Sequence, residues 1–292
     1  RDVVKLCVTG LLARGHVLIE DIPGIGKTTL AQALARSIDC AFSRIQFTSD
    51  MLPSDILGVS VLNPRTNEFE FRKGPIFAGI VLADEVNRTP PKSQSALLEA
   101  MSEFQVSVDG VTRRLPEPFM VLATQNPIEY EGTYLLPESQ LDRFMLRVEI
   151  GYPGGQDELR IMRRRDPRPA LDALKPILTA KQTVELQQIV GQVRVDDSLA
   201  QYMLDIVQAT RNHEFVELGA SPRASVTYYQ ACQARALVEG RPFVNPDDVK
   251  RMAVPVLSHR IVVRARDGNP AAAGRARAGV ILEILKRVPI PE

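Results

Sequence analysis

The chain has 292 residues, 45% of them apolar and 24% charged, with a formal net charge of +1. That length allows one large domain or two modest ones, of which we expect two, and the composition excludes a disordered or fibrous chain. No apolar run approaches the roughly 18 uncharged residues of a spanning helix, and ten Phe, six Tyr and no Trp beside so mild a charge leave no aromatic-basic nucleic-acid surface of the usual kind.

Charge is unevenly shared. Residues 1–150 carry a balance of −4 and residues 151–292 one of +5, which reads either as drift between solvated faces or as a means of joining oppositely charged subunits. Cys7, Cys40 and Cys232 are odd in number, far apart and never in a CxxC pair, so they suit reduced, mostly buried thiols of a cytoplasmic protein rather than a disulfide framework or zinc site. His16, His213 and His259 are equally isolated and read as structural. Because the chain opens on Arg1 rather than Met, residues before it in the natural product are expected.

Along the chain, the front half alternates strands and helices, the pattern of a parallel sheet covered on both faces. "HVLIE" (16–20) is a strand, and a helix from Lys27 to Ser37 shows Leu30, Ala31, Leu34 and Ala35 at helical spacing. "SRIQFT" (43–48), "GIVLADE" (79–85), "FMVLATQN" (119–126) and "MLRVEIGY" (145–152) supply further strands, and "PPKSQSALLEAMSE" (90–103) a helix with its prolines at the start. Two hairpins interrupt this rhythm, one over 59–72 across a Pro/Asn turn and one over 104–115 across Asp109-Gly110. After Tyr152 the strands are expected to cease. A connector with a short helix (153–178) leads to a helical second domain (179–292), in which Ser221-Pro222-Arg223 and Asn245-Pro246-Asp247-Asp248 read as helix starts.

The chemistry begins at "PGIGKTT", Pro23, Gly24, Ile25, Gly26, Lys27, Thr28 and Thr29. Its glycines let backbone N–H groups wrap phosphate oxygens, Lys27 reaches the β and γ phosphates, and the Thr28 hydroxyl can ligate Mg²⁺. One glycine of the usual GxxxxGKT spacing is replaced by Asp21. That position serves the turn rather than the phosphate cradle, and Asp tolerates left-handed or turn geometry and can direct its side chain away from the phosphates, so the loop is expected to survive. Asp84 and Glu85 end a buried strand, where ligand sites of open α/β sheets form. Asp84 can hold the Mg²⁺ shell and Glu85 can polarise an attacking water. Asn126 ends the next strand, where its amide can meet the γ-phosphate or lytic water, although Asn before Pro is also a plain turn former. Arg143 lies on a short helix beyond, placed to reach a neighbour's nucleotide rather than its own.

Together the phosphate loop, "LADEVNRTPPKSQSALLEAM", "ATQNPIEYEGTYLLPESQLDRF" and "GASPRA" resemble the MoxR family of AAA+ ATPases over nearly the entire chain. The resemblance implies a P-loop ATPase core (1–152) with two β-hairpin inserts, an all-α lid, ATP and Mg²⁺ as cofactors, and a homo-oligomeric, typically hexameric ring. It assigns Lys27 and Thr28 to Walker A, Asp84 and Glu85 to Walker B, Asn126 to sensor 1, Arg143 to the arginine finger and Arg223 to sensor 2. An acidic residue before "xPGxGKT" is familiar in this family, which agrees with the reading of Asp21. The hairpins resemble the helix-2 insert and the pre-sensor-1 hairpin. Such proteins act as chaperones that mature enzyme complexes or insert metal cofactors, commonly beside a partner with a von Willebrand factor A domain. Two rival readings are a nucleic-acid motor, for which Lys73, Arg113, Arg114 and "RRR" (163–165) are thin support that exposed helix-end charges explain equally, and a nucleotide-gated scaffold with little turnover, against which Glu85 and Asn126 stand.

Overall fold

The computed structural model describes residues 2–126, 133–163, 168–264 and 270–291. In chain order, α1 (Asp2–Leu12), β1 (Val17–Glu20), α2 (Lys27–Ser37), β2 (Phe42–Gln46) and α3 (Pro53–Leu57) lead into the first hairpin, β3 (Gly58–Asn63) and β4 (Glu68–Lys73). Then come β5 (Ile80–Asp84), α4 (Pro91–Glu103), the second hairpin β6 (Gln105–Val108) and β7 (Val111–Arg114), and β8 (Met120–Gln125). The sequence-read helix at Lys27–Ser37 and both hairpins stand where expected. Short elements α5 (Glu138–Leu141), β9 (Leu146–Val148), α6 (Gly155–Arg163) and α7 (Arg168–Asp172) precede α8 (Ala180–Val190), α9 (Asp197–Arg211), β10 (Val216–Leu218), α10 (Pro222–Val238), α11 (Pro246–Leu257), β11 (Val262–Val263) and α12 (Pro270–Arg287).

Five strands form one sheet in the order β2-β5-β8-β1-β9, and β2, β5 and β8 pair in parallel with Gln46 opposite Asp84 and Ala83 opposite Ala123. The apolar runs Ile80–Ala83 and Met120–Ala123 are fully buried, as strands covered on both faces must be. The second hairpin turns on Asp109 (φ 55°) and Gly110 (φ 72°), both left-handed as a two-residue turn matched to strand twist requires.

The chain divides into two compact units that interleave in sequence: Arg1–Leu18, Leu136–Val148 and Glu185–Glu292 form one, Ile19–Leu135 and Glu149–Val184 the other. The former is mainly helical. α10 is buried along most of its length, with Tyr228, Ala231 and Cys232 fully enclosed and the Tyr228 hydroxyl donating to Val249 O at 2.6 Å. Its start is capped by the Ser221 side chain, which accepts from Ala224 N, and α11 opens on a capping box of Asn245 and Asp248. The expectation that strands cease after Tyr152 is corrected here: β10 and β11 pair antiparallel, Val216 opposite Val263. Their two or three residues are too short to show an alternating pattern. Burial pushes the Cys7 thiol up to about 12 and that of Cys40, helped by Asp39, to about 11, so neither offers a thiolate.

Candidate nucleotide site

β1 delivers the chain into the loop Asp21–Gly26, and α2 takes it up at Lys27. Gly24 (φ 84°) and Gly26 (φ 92°) are left-handed, and a Cβ at either would meet no atom within 4 Å. Glycine is therefore required there by the backbone angle and not by crowding. Gly26 is the N-cap of α2, no side chain caps the helix, and no acid stands in its first turn, an arrangement suited to anions. Pro23 and Thr29 are exposed, while Ile25, Lys27 and Thr28 are half-buried.

The Lys27 ammonium donates to the Asp21 carbonyl at 2.6 Å. Burial pulls its pKa below the ordinary lysine value, while Asp84, Asp21 and Glu85 act in the opposite sense. The loop lysine and the acids at the end of β5 thus share one electrostatic neighbourhood. Asp21 is not left-handed, so its expected tolerance of that geometry is not what fits it here. Its side chain is directed away: Oδ2 accepts from Ile150 N and Gly151 N, both at 2.7 Å, and Oδ1 from Ile22 N at 2.9 Å.

At the strand end, Arg44 donates to Asp84 Oδ2 at 2.6 Å and to Gln46 Oε1 at 2.8 Å. The Thr124 hydroxyl donates to Asp84 Oδ1 at 2.5 Å and accepts from Glu85 N at 2.9 Å. Glu85 Oε2 in turn accepts from Gln46 Nε2 at 2.7 Å and pairs with Arg88 at 3.2 Å. Glu85 is itself left-handed (φ 60°, ψ 49°), a backbone state that costs a non-glycine residue about 1–2 kcal/mol and directs its side chain off the strand. Reading along the chain misses Arg44, Gln46 and Thr124. The alternation that puts Arg44 and Gln46 on one face of β2 is visible, but that β2 lies beside β5 depends on a crossover no local pattern reveals.

Asn126 directly follows β8, the strand next to β5, and is half-buried; residues 127–132 of the quoted motif lie outside the described residues. α5 ends at Leu141, so Arg143 sits in the turn after the helix rather than on it. Its neighbour Asp142 is engaged by Arg260, whose Nε donates to Oδ1 at 2.7 Å. Arg260 also donates to Met145 O, Phe144 O and Val256 O. Burial lowers its pKa to about 10, against the pull of Asp142, with Arg223 adding to the lowering. Arg223 is the second residue of α10, and the cap Ser221 places its hydroxyl 3.5 Å from Asp142 Oδ2, so Arg143, Asp142, Arg260 and Arg223 gather in one compact unit. Nothing in "LSHR" (257–260) marks Arg260 as a buried cation in the sequence.

Among the described residues no group of three or more His, Cys, Asp or Glu is arranged to hold a metal, and no helix is long and apolar enough to cross a membrane. Mg²⁺ needs no such cage, since it is held by one or two protein oxygens together with phosphates and water. A half-buried aspartate beside the phosphate loop fits that habit.

Comparison with known proteins agrees with this geometry. Residues 16–146 match the family profile described as "ATPase family associated with various cellular activities (AAA)", and residues 208–279 the AAA lid domain. The chain is 49% identical to YeaC of Bacillus subtilis (strain 168), covering 100% of this chain and 90% of that protein. It is 43% identical to Chaperone MoxR1 of Mycobacterium tuberculosis, covering 90% and 71%. A crystal structure of a Cytophaga hutchinsonii protein assigned as an ATPase superposes with a TM-score of 0.87 at 37% identity, covering 100% of this chain and 90% of that one.

Proposed function

The chain belongs to the MoxR family of AAA+ ATPases, and from that membership we propose that it is a Mg²⁺-dependent ATP hydrolase that works as a ring and remodels or matures protein complexes. One observation carries the proposal: only β8 stands between β1 and β5 in the sheet, and Asp21 N at the start of the phosphate loop donates to Gln125 O at the end of β8, which brings the loop close to the acids that end β5. The functional division is an ATPase core over 1–152, a connector over 153–178 and a lid over 179–292.

In this reading Gly24 and Gly26 shape the backbone around the phosphates, and Pro23, Ile25 and Thr29 complete the loop. Lys27 exchanges the Asp21 carbonyl for β- and γ-phosphate oxygens. Thr28 and Asp84 would hold the metal, which when bound would supply a Lewis acid to the reaction. Glu85, held by Gln46 and Arg88, orients the attacking water and takes its proton. Asn126 fixes that water or the γ-phosphate. Arg223 answers to the γ-phosphate from the lid, and Arg143 acts on a neighbouring subunit's nucleotide, the arrangement a hexameric ring provides. A protein client, a partner with a von Willebrand factor A domain, delivery of a metal cofactor and a cytoplasmic setting belong to the same proposal.

No observation favours a nucleic-acid motor. Arg113 lies 3.8 Å from the Phe71 ring centre and donates to Val108 O and Val111 O, and Lys73 lies over Phe77 at 5.5 Å. These two cations sit in the hairpins rather than at helix ends, and they face rings. Arg164 and Arg165 lie outside the described residues. Steady-state phosphate release with and without Mg²⁺ tests the proposal: turnover should require the metal and vanish in Lys27→Ala, whereas metal-independent turnover that survives in Lys27→Ala would contradict it.

A further inference from the structure

Asp21 stands where the usual loop has glycine, and every polar group it owns is engaged. Its N–H donates to Gln125 O at 3.2 Å, beside Asn126. Its carbonyl accepts the Lys27 ammonium at 2.6 Å, and its carboxylate accepts three backbone amides, those of Ile22, Ile150 and Gly151. Two of those amides are 129 and 130 residues away, in the segment that leaves β9 and runs into α6. Gly151 there is left-handed at φ 72°, a backbone state that only glycine adopts without strain.

We propose that Asp21 is a positioning residue that relays the state of the Lys27 ammonium to the backbone at Ile150–Gly151. This inference rests on the nucleotide reading of the loop. The ammonium that bonds the Asp21 carbonyl is the same cation a phosphate recruits, so an incoming triphosphate competes directly with that carbonyl. Release of the carbonyl leaves the Asp21–Ile22 peptide held by the bond from Ile22 N to the Asp21 carboxylate, so a turn of that peptide draws on the carboxylate itself. The carboxylate rides on the same residue and clamps two amides at a glycine hinge, so the turn cannot occur without a response at Ile150 and Gly151. A glycine at 21 would leave the loop able to bind phosphate and would cut this link.

Hydrogen–deuterium exchange on the full chain, with and without the non-hydrolysable analogue AMP-PNP and Mg²⁺, tests the relay, with analogue affinity measured separately by calorimetry. In the wild type, peptides spanning 149–154 should change their exchange by about threefold or more when the analogue binds. In Asp21→Gly those amides should exchange about tenfold faster in both states and lose the response, while affinity stays within about threefold. Asp21→Asn, which keeps one acceptor oxygen, should restore part of the protection and part of the response. A role confined to stability would change protection but leave the nucleotide response intact in Asp21→Asn, and that result would overturn the relay. Binding to the wild type with no change at 149–154 would overturn the relay alone; absence of any binding would overturn the nucleotide reading with it.

Discussion

Two arginine–aspartate pairs of nearly equal length, Arg44–Asp84 at 2.6 Å and Arg260–Asp142 at 2.7 Å, occupy opposite settings. The Arg44 side chain keeps 47% of its surface in solvent and has two polar partners, Asp84 and Gln46, each of which also bonds another group. The Arg260 side chain keeps 1%, and its nitrogens are shared among the Asp142 carboxylate, four backbone carbonyls and the His259 ring. A cation half in water can trade its partner at small cost, because water replaces what it loses. A sealed one cannot, since any lost partner leaves a buried charge unmatched. Under the proposed function the first setting suits groups that would change hands as phosphate and metal arrive, and the second suits a fixed frame around the Arg143 turn.

The largest effect expected from breaking this frame concerns Arg143 itself. If it serves a neighbour's nucleotide, Arg143→Ala should lower turnover by about 10³ to 10⁵, the worth of such a finger in related phosphoryl transfers. Lys27→Ala subunits, which keep Arg143, mixed with Arg143→Ala subunits, which keep the loop, should then recover part of the activity. Mixed rings without recovery would confine Arg143 to its own subunit. On the exchangeable side, Glu85→Gln should retain the analogue yet hydrolyse ATP slower by about 10² to 10⁴, as loss of a positioned base predicts. Near-normal single-turnover rates in that variant would move the base elsewhere.

Stability should report the sealed side. Arg260→Met keeps the bulk but takes from Asp142 its cation and from the carbonyls of Met145 and Val256 the Arg260 donor, while Phe144 O keeps only the His259 ring, so a loss of about 3–5 kcal/mol is expected in urea unfolding. His259 gives the same side a pH dependence. Burial, and then Arg260, hold its pKa well below the ordinary 6.5, so the folded protein keeps it neutral while the unfolded chain takes up a proton below that pH. The stability it contributes is present above pH 6.5 and is lost as pH falls, by up to about 1.4 kcal/mol per unit. Unfolding midpoints at pH 7.5 and 5.5 should differ accordingly, and His259→Gln should reduce the difference.

The two settings also differ in how far they could be read in advance. The phosphate loop, the acids at the end of β5, the helix starts at Ser221 and Asn245 and both hairpin turns are local chemistry, written in a few consecutive residues, and they stand in the structure as the sequence indicates. Arg44, Thr124 and Arg260 were invisible because each acquires its meaning from a strand order or a helix contact far away in the chain. Asp21 lies between these cases. That its side chain leaves the phosphates was legible from turn chemistry, but its destination at Ile150 and Gly151 was not. Strands β10 and β11 escaped because two or three residues carry no periodicity.

The smallest expected effect is the sharpest test of the contrast. Arg44→Gln removes a pair as short as that of Arg260, so if bond length governed energy the two variants would lose similar stability. The setting argues otherwise. With Arg44 gone, Asp84 keeps the Thr124 hydroxyl on Oδ1 and meets water on Oδ2, while Gln46 still holds Glu85. Asp84 is itself only 15% exposed, but the Thr124 hydroxyl and the nearby Lys27 ammonium remain to offset its charge, and a pair whose arginine is half in water returns only about 0–1 kcal/mol to begin with. Urea unfolding of Arg44→Gln should therefore stay within about 1 kcal/mol of the wild type. A loss near that of Arg260→Met would mean that the Asp84 carboxylate depends on Arg44 as a structural counter-ion, and that this side of the molecule is as fixed as the other.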